Sequence, residues 1–113
     1  MKSLVLIATL LSGLLLANSI NAEIPSNAVW IDVRTAEEFA SGHIEGAHNI
    51  PYESIDKGVA ALGLEQDTPI LLYCRSGRRS GIALDSLRKQ GYTQLKNVGG
   101  IEEASALAKQ SGD

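Results

Sequence analysis

The chain has 113 residues, a formal net charge of −3 and a single cysteine, Cys74. That length allows one domain at most with a modest core, and the acidic balance argues against nucleic acid or an anionic membrane as the main partner. One cysteine cannot close an internal disulfide, so in an exported chain it is either an intermolecular partner or a free reactive thiol.

The opening segment, MKSLVLIATLLSGLLLANSINA, reads as an export signal. Lys2 supplies a basic start, Leu4 to Ala17 an apolar run, and Ala22 a small residue at a cleavage site. Cleavage after Ala22 is expected, with Ser19 as the alternative. An uncleaved anchor fits less well, because a bilayer span takes about 20 apolar residues. A lipoprotein fits no better, since no cysteine lies near the cleavage region. Residues 1–22 are thus expected to be a signal peptide and 23–113 a single domain, exported to the periplasm and free of the membrane after cleavage. That mature chain would carry nine basic and thirteen acidic side chains.

Beyond the signal no repeat, low-complexity tract or linker interrupts the chain. Ala28 to Val33 (AVWIDV) is a short apolar run of strand character. Thr35 and Glu38 follow with the spacing of a capping box, which opens a short helix. Glu37 and Glu38 read as first-turn helix residues with no further role. GAHNIPYES is a brief extended segment broken by Pro51, and ESIDKGVAALG a helix weakened by Gly58 and stopped near Gly63. Ile70 to Tyr73 is continuously apolar, as in a strand buried on both faces. SGIALDSLRKQG places Ala83, Leu84 and Leu87 on one helical face and ends at Gly91. TQLKNV reads as a last strand and IEEASALAKQ as a last helix. Short strands alternating with helices predict an open α/β fold, a small parallel sheet with helices on both faces.

In such a sheet, ligands bind beyond the carboxyl ends of the strands. Cys74 lies there, between a buried strand and a helix, in the loop YCRSGRRS. A thiolate is the nucleophilic form of cysteine, and helix N-termini and nearby cations favour it. The amides of Arg75, Ser76, Gly77, Arg78 and Arg79 can turn inward around the sulfur, and Gly77 permits the backbone turn this demands. The three arginines add charge suited to forked recognition of an oxyanion. The loop is therefore expected to bind a small dianion over an ionised sulfur. The plainer alternative, a structural core cysteine followed by a solvated basic turn, sits poorly with three arginines in five residues. Asp32 and Arg34 end the first strand on the same edge of the sheet. His43 and His48 lack zinc-site spacing and read as structural residues, so no metal is expected. Neither a nucleotide phosphate loop nor a serine nucleophile elbow is present, and no cofactor is expected.

Two stretches resemble rhodanese domains. WIDVRTAEEFASGHIEGAHNIP, Trp30 to Pro51, is similar to their opening signature, and YCRSGRRS to their active-site loop. GYTQLKNVGGIEEA is similar to their closing strand, double glycine and helix, so the likeness covers nearly all of Ala28 to Leu107. The short exported chain is most similar to the periplasmic single-domain sulfurtransferases among them. The resemblance implies a thiosulfate sulfurtransferase that takes a sulfane sulfur onto Cys74 as a persulfide and passes it to cyanide or a thiol. It implies that the amides of residues 75–79 cradle the persulfide. Arg75, Arg78 and Arg79 would attract the donor's sulfonate, and Asp32 would brace the loop through an arginine. The family also contains phosphatases and arsenate reductases. Tyrosine-phosphatase-like catalysis needs C-x5-R, and here that arginine would fall on Ser80; Arg79 comes one residue early. The tighter ring suits one sulfur atom better than a phosphate. A non-catalytic binding module of this fold is the other alternative, and retention of Cys74 and Gly77 argues against it. The physiological donor and acceptor, and the oligomeric state, have no signature in the sequence.

Overall fold

The computed structural model describes residues 24–112; the expected signal peptide lies outside the described residues. Four strands form one parallel sheet in the order β2-β1-β3-β4, with β1 at Val29–Asp32, β2 at His48–Asn49, β3 at Ile70–Cys74 and β4 at Leu95–Gly100. The helices are α1 (Ala36–Ala40), α2 (Ile55–Leu62, entered through a 3-10 turn at Tyr52–Ser54), α3 (Arg78–Lys89) and α4 (Ile101–Gly112).

Alternation along the strands sorts their side chains between two cores. Ile31 and Val33 join Ile70, Leu72 and Cys74 on one face, where α2 and α3 contribute Ile55, Val59, Ala83 and Leu87. Trp30 and Tyr73 point to the other face, toward Ile44 and, from α4, Ile101 and Ala104. All of β3 is buried, as a central parallel strand with both faces covered requires. Truncating a fully buried residue such as Leu72 to alanine is worth about 2–5 kcal/mol in cores of this kind.

Local chemistry sets the element ends. The Thr35 hydroxyl accepts from the Glu38 amide and the Glu38 carboxylate accepts from the Thr35 amide, completing the expected capping box. In α2, Gly58 lies so close to Ile50 that any β-carbon would collide with that side chain. Its glycine thus serves close packing. The helix stops at Gly63, whose φ is +68°.

Two boundaries differ from expectation. Helix α3 begins at Arg78 rather than Ser80, so Arg78 and Arg79 belong to its first turn. Strand β4 starts at Leu95 and runs on through Gly99 and Gly100, which pair with Tyr73 and Cys74. A β-carbon on Gly100 would strike the Arg75 carbonyl, and Gly99, with φ +110°, takes a backbone conformation that side chains rarely adopt. A register shift beside Leu72 and Tyr73 leaves Val98 as the extra residue of a bulge.

Candidate active site

Cys74 ends β3, 1% exposed, on the face covered by α3. The loop after it turns back on the sulfur. Gly77, with φ +101°, occupies a conformation that a β-carbon would strain, and its amide donates to Sγ at 2.9 Å. Ser80 Oγ lies 3.4 Å from Sγ. Burial pushes the Cys74 thiol up, but the Ser80 hydroxyl and the amides of Ser80, Ser76 and Gly77 outweigh it and leave the thiol below its ordinary value. Of the five amides expected to turn inward, those of Ser76 and Gly77 act on the sulfur, joined by that of Ser80. The lowering comes through hydrogen bonds, and the hydroxyl of Ser80 leads them.

A second layer fixes this ring. Asn97 Nδ2 donates to the Gly77 carbonyl at 2.9 Å, and Asn97 Oδ1 accepts from Ser80 Oγ at 2.7 Å and from the Gly99 amide at 3.0 Å. The bulge in β4 brings Asn97 under the loop. Three groups that sequence reasoning passed over thus hold the site: Ser80, Asn97 and Glu38. An asparagine inside a strand is a poor strand former, which was the available signal for Asn97. In the sequence Ser80 marks only the position where a phosphatase arginine would stand.

The three loop arginines do not share one environment. Arg75 is 74% exposed and Arg78 is exposed too, whereas Arg79 lies mostly covered. Arg79 donates through both arms to Glu38, at 2.9 and 3.1 Å. Glu38 therefore does more than the first-turn role expected of it, and its carboxyl is held down at about 2, chiefly by the Arg79 hydrogen bond. The pair also offsets a conflict, since cations at a helix N-terminus oppose its dipole.

Asp32 meets its arginine in Arg34. It pairs across the sheet with Tyr73, the residue before Cys74, so its side chain lies on the opposite face from the sulfur. Its hydrogen bonds go to the Arg34 amide and guanidinium, the shortest at 2.6 Å, and not to a loop arginine. Arg34 in turn donates to the Gly42 carbonyl and sits over the Tyr73 ring at 5.7 Å. Both are buried, so the pair is internal rather than a surface one. Arg34 still reaches the site's flank, where it lines a cleft of about 440 Å³ with Arg75, Ser76, Ile101, Glu102 and Glu103. A smaller recess at the strands' starting edge, around Pro25, Pro69 and Thr93, lies away from the cysteine loop. His43 stacks on Phe39 at 3.5 Å between ring centres and has a local structural setting, while His48 is an exposed residue of β2.

Comparison with known proteins places the fold. The rhodanese-like domain family matches residues 16–107. Thiosulfate sulfurtransferase PspE of Escherichia coli (strain K12) is 36% identical over 83 residues, 74% of this chain and 79% of that protein. A probable adenylyltransferase/sulfurtransferase, MoeZ of Mycobacterium tuberculosis (strain CDC 1551 / Oshkosh), is 41% identical over 81 residues, 71% of this chain but only 20% of its own length. Among solved structures, a rhodanese with anions from E. coli superimposes with a TM-score of 0.65 at 36% identity, covering 67% of this chain and 89% of that one. A parallel sheet ending in a cysteine ringed by amides, and a family match across most of its length, make this chain a member of the rhodanese-like sulfurtransferase family.

Proposed function

We propose that this protein is a thiosulfate sulfurtransferase that carries sulfane sulfur as a persulfide on Cys74, in the periplasm after loss of residues 1–22. The observation that carries the reading is the convergence of the Gly77 amide and the Ser80 hydroxyl on one buried sulfur, at 2.9 and 3.4 Å. Such donors favour a thiolate. The Cys74 thiolate attacks the outer sulfur of thiosulfate; the S–S bond to the sulfonate breaks, and sulfite leaves with its electron pair. The terminal persulfide sulfur then carries the negative charge that the thiolate brought, and the ring of amides receives it. An acceptor thiolate, or cyanide, attacks that outer sulfur and restores the Cys74 thiolate, giving an acceptor persulfide or thiocyanate.

Arg75 and Arg78 are the proposed contacts for the donor's sulfonate, being exposed at the loop; in this reading Arg79 shapes the loop instead. The E. coli neighbour was solved with anions, which supports an anion-binding role here as well. Against a phosphatase stands Ser80, buried at the position where the phosphoryl-gripping arginine would lie. The test is turnover of the mature protein with thiosulfate and cyanide beside an aryl phosphate. Thiocyanate formation lost in Cys74→Ser, with the phosphate ester untouched, is the expected outcome. Phosphatase activity lost in the same variant would overturn the assignment.

A further inference from the structure

The Glu38 carboxylate lies between two arginines of the cysteine loop. Both arms of Arg79 reach it, at 2.9 and 3.1 Å, and Arg75 Nε is 4.0 Å away. The Thr35 amide donates to the same carboxylate, which fixes it at the start of α1. Glu38 and Arg79 are 23% and 18% exposed, so the pair is largely shielded from water. A carboxylate held in the fork of one loop arginine, with a second at ion-pair range, resembles the arrangement a bound oxyanion would make. Here the anion belongs to the protein. Arg78 differs: among the described residues, no carboxylate lies within ion-pair distance of it.

Arginine recognises an oxyanion through a planar fork of N–H donors. Glu38 already occupies that fork on Arg79. Taking the loop as the donor site, as proposed above, we propose that Glu38 is an internal anion that sets its ligand specificity. By filling the Arg79 fork it leaves Arg75 and Arg78 to meet a donor's sulfonate end. It also withholds from the loop the further forked grip that Arg79 would otherwise give an oxyanion such as sulfate or phosphate. Glu38 is thus a positioning residue that acts through Arg79. The carboxyl is held at about 2, first by its Arg79 hydrogen bond, so the block persists throughout the neutral pH range.

Glu38→Gln keeps the side chain's length and an oxygen for the Thr35 amide while removing the charge that binds Arg79. The probe is inorganic sulfate, read as protection of Cys74 from iodoacetamide at constant ionic strength. Alkylation needs no sulfur transfer, so failure here is separable from failure of the sulfurtransferase reading, which the turnover assay reports. The sulfate concentration giving half-protection should fall about tenfold in Glu38→Gln, as one charge-assisted hydrogen bond is worth. Glu38→Ala should show the same gain. The double variant Glu38→Gln/Arg79→Gln should lose it. Unchanged protection in both single variants would overturn the proposal. So would a gain that survives in the double variant, because it would then owe nothing to Arg79.

Discussion

At Cys74 the balance is between burial, which disfavours the thiolate, and four hydrogen bonds that favour it. The largest of the favourable contributions comes from the Ser80 hydroxyl, which has one proton to give and three neighbours to receive it: Sγ, the Gly77 carbonyl and Asn97 Oδ1. The folded thiol lies below its ordinary value, so alkylation by iodoacetamide should rise with pH through a midpoint below that of a free cysteine. In Ser80→Ala that midpoint should move upward, toward the free-thiol value. The thiosulfate kcat/KM at neutral pH should fall about tenfold or more, the worth of a hydrogen bond to a charged group. An alkylation profile unchanged in Ser80→Ala would mean that the amides alone hold the thiolate. Cys74, the arginines that follow it and the turn at Gly77 were readable because they are contiguous. Glu38 and Asn97 were not, because they meet the loop across 41 and 20 residues of chain, and only the folded sheet edge brings them there.

The elements follow the apolar periodicity closely where burial dictates it. β3, buried on both faces, and α3, with Ala83 and Leu87 inward, lie where the pattern put them. The misjudged boundaries are both at the site. The arginine loop is expected to end before Ser80, yet Arg78 and Arg79 open α3; the Glu38 carboxylate that offsets their opposition to the helix dipole is remote in sequence. The last strand is expected to end at TQLKNV, yet β4 continues through Gly99 and Gly100, where the Arg75 carbonyl leaves no room for a side chain on Gly100. Two glycine substitutions separate backbone cost from site damage. Gly63→Ala forces a left-handed residue in open space and should cost about 1 kcal/mol of stability with sulfur transfer unchanged. Gly100→Ala should cost about 1–3 kcal/mol through overpacking and also impair transfer, because its β-carbon displaces the start of the cysteine loop. Thermal unfolding beside turnover would check both; equal effects on transfer would show that the Gly100 contact is irrelevant to the site.

Over the whole molecule, the proposed function asks a net negative chain to draw in a dianionic donor. Local positive charge at Arg75 and Arg78 has to offset the overall field. Single Arg→Gln changes at these positions should raise the thiosulfate KM several-fold at low salt, and the increase should shrink as exposed charges become screened over about 8 Å at physiological ionic strength. The acceptor half-reaction with cyanide should change less, since no sulfonate is held there. Steady-state kinetics at two ionic strengths measures both. If neither variant alters the thiosulfate KM, donor binding rests on the backbone amides alone. The central claim, a persulfide on Cys74, is tested most directly by intact-mass measurement after incubation with thiosulfate, with released sulfite quantified alongside. One added sulfur atom per chain, one equivalent of sulfite and neither in Cys74→Ser is the predicted result; a chain of unchanged mass, or an adduct that persists in Cys74→Ser, would contradict it.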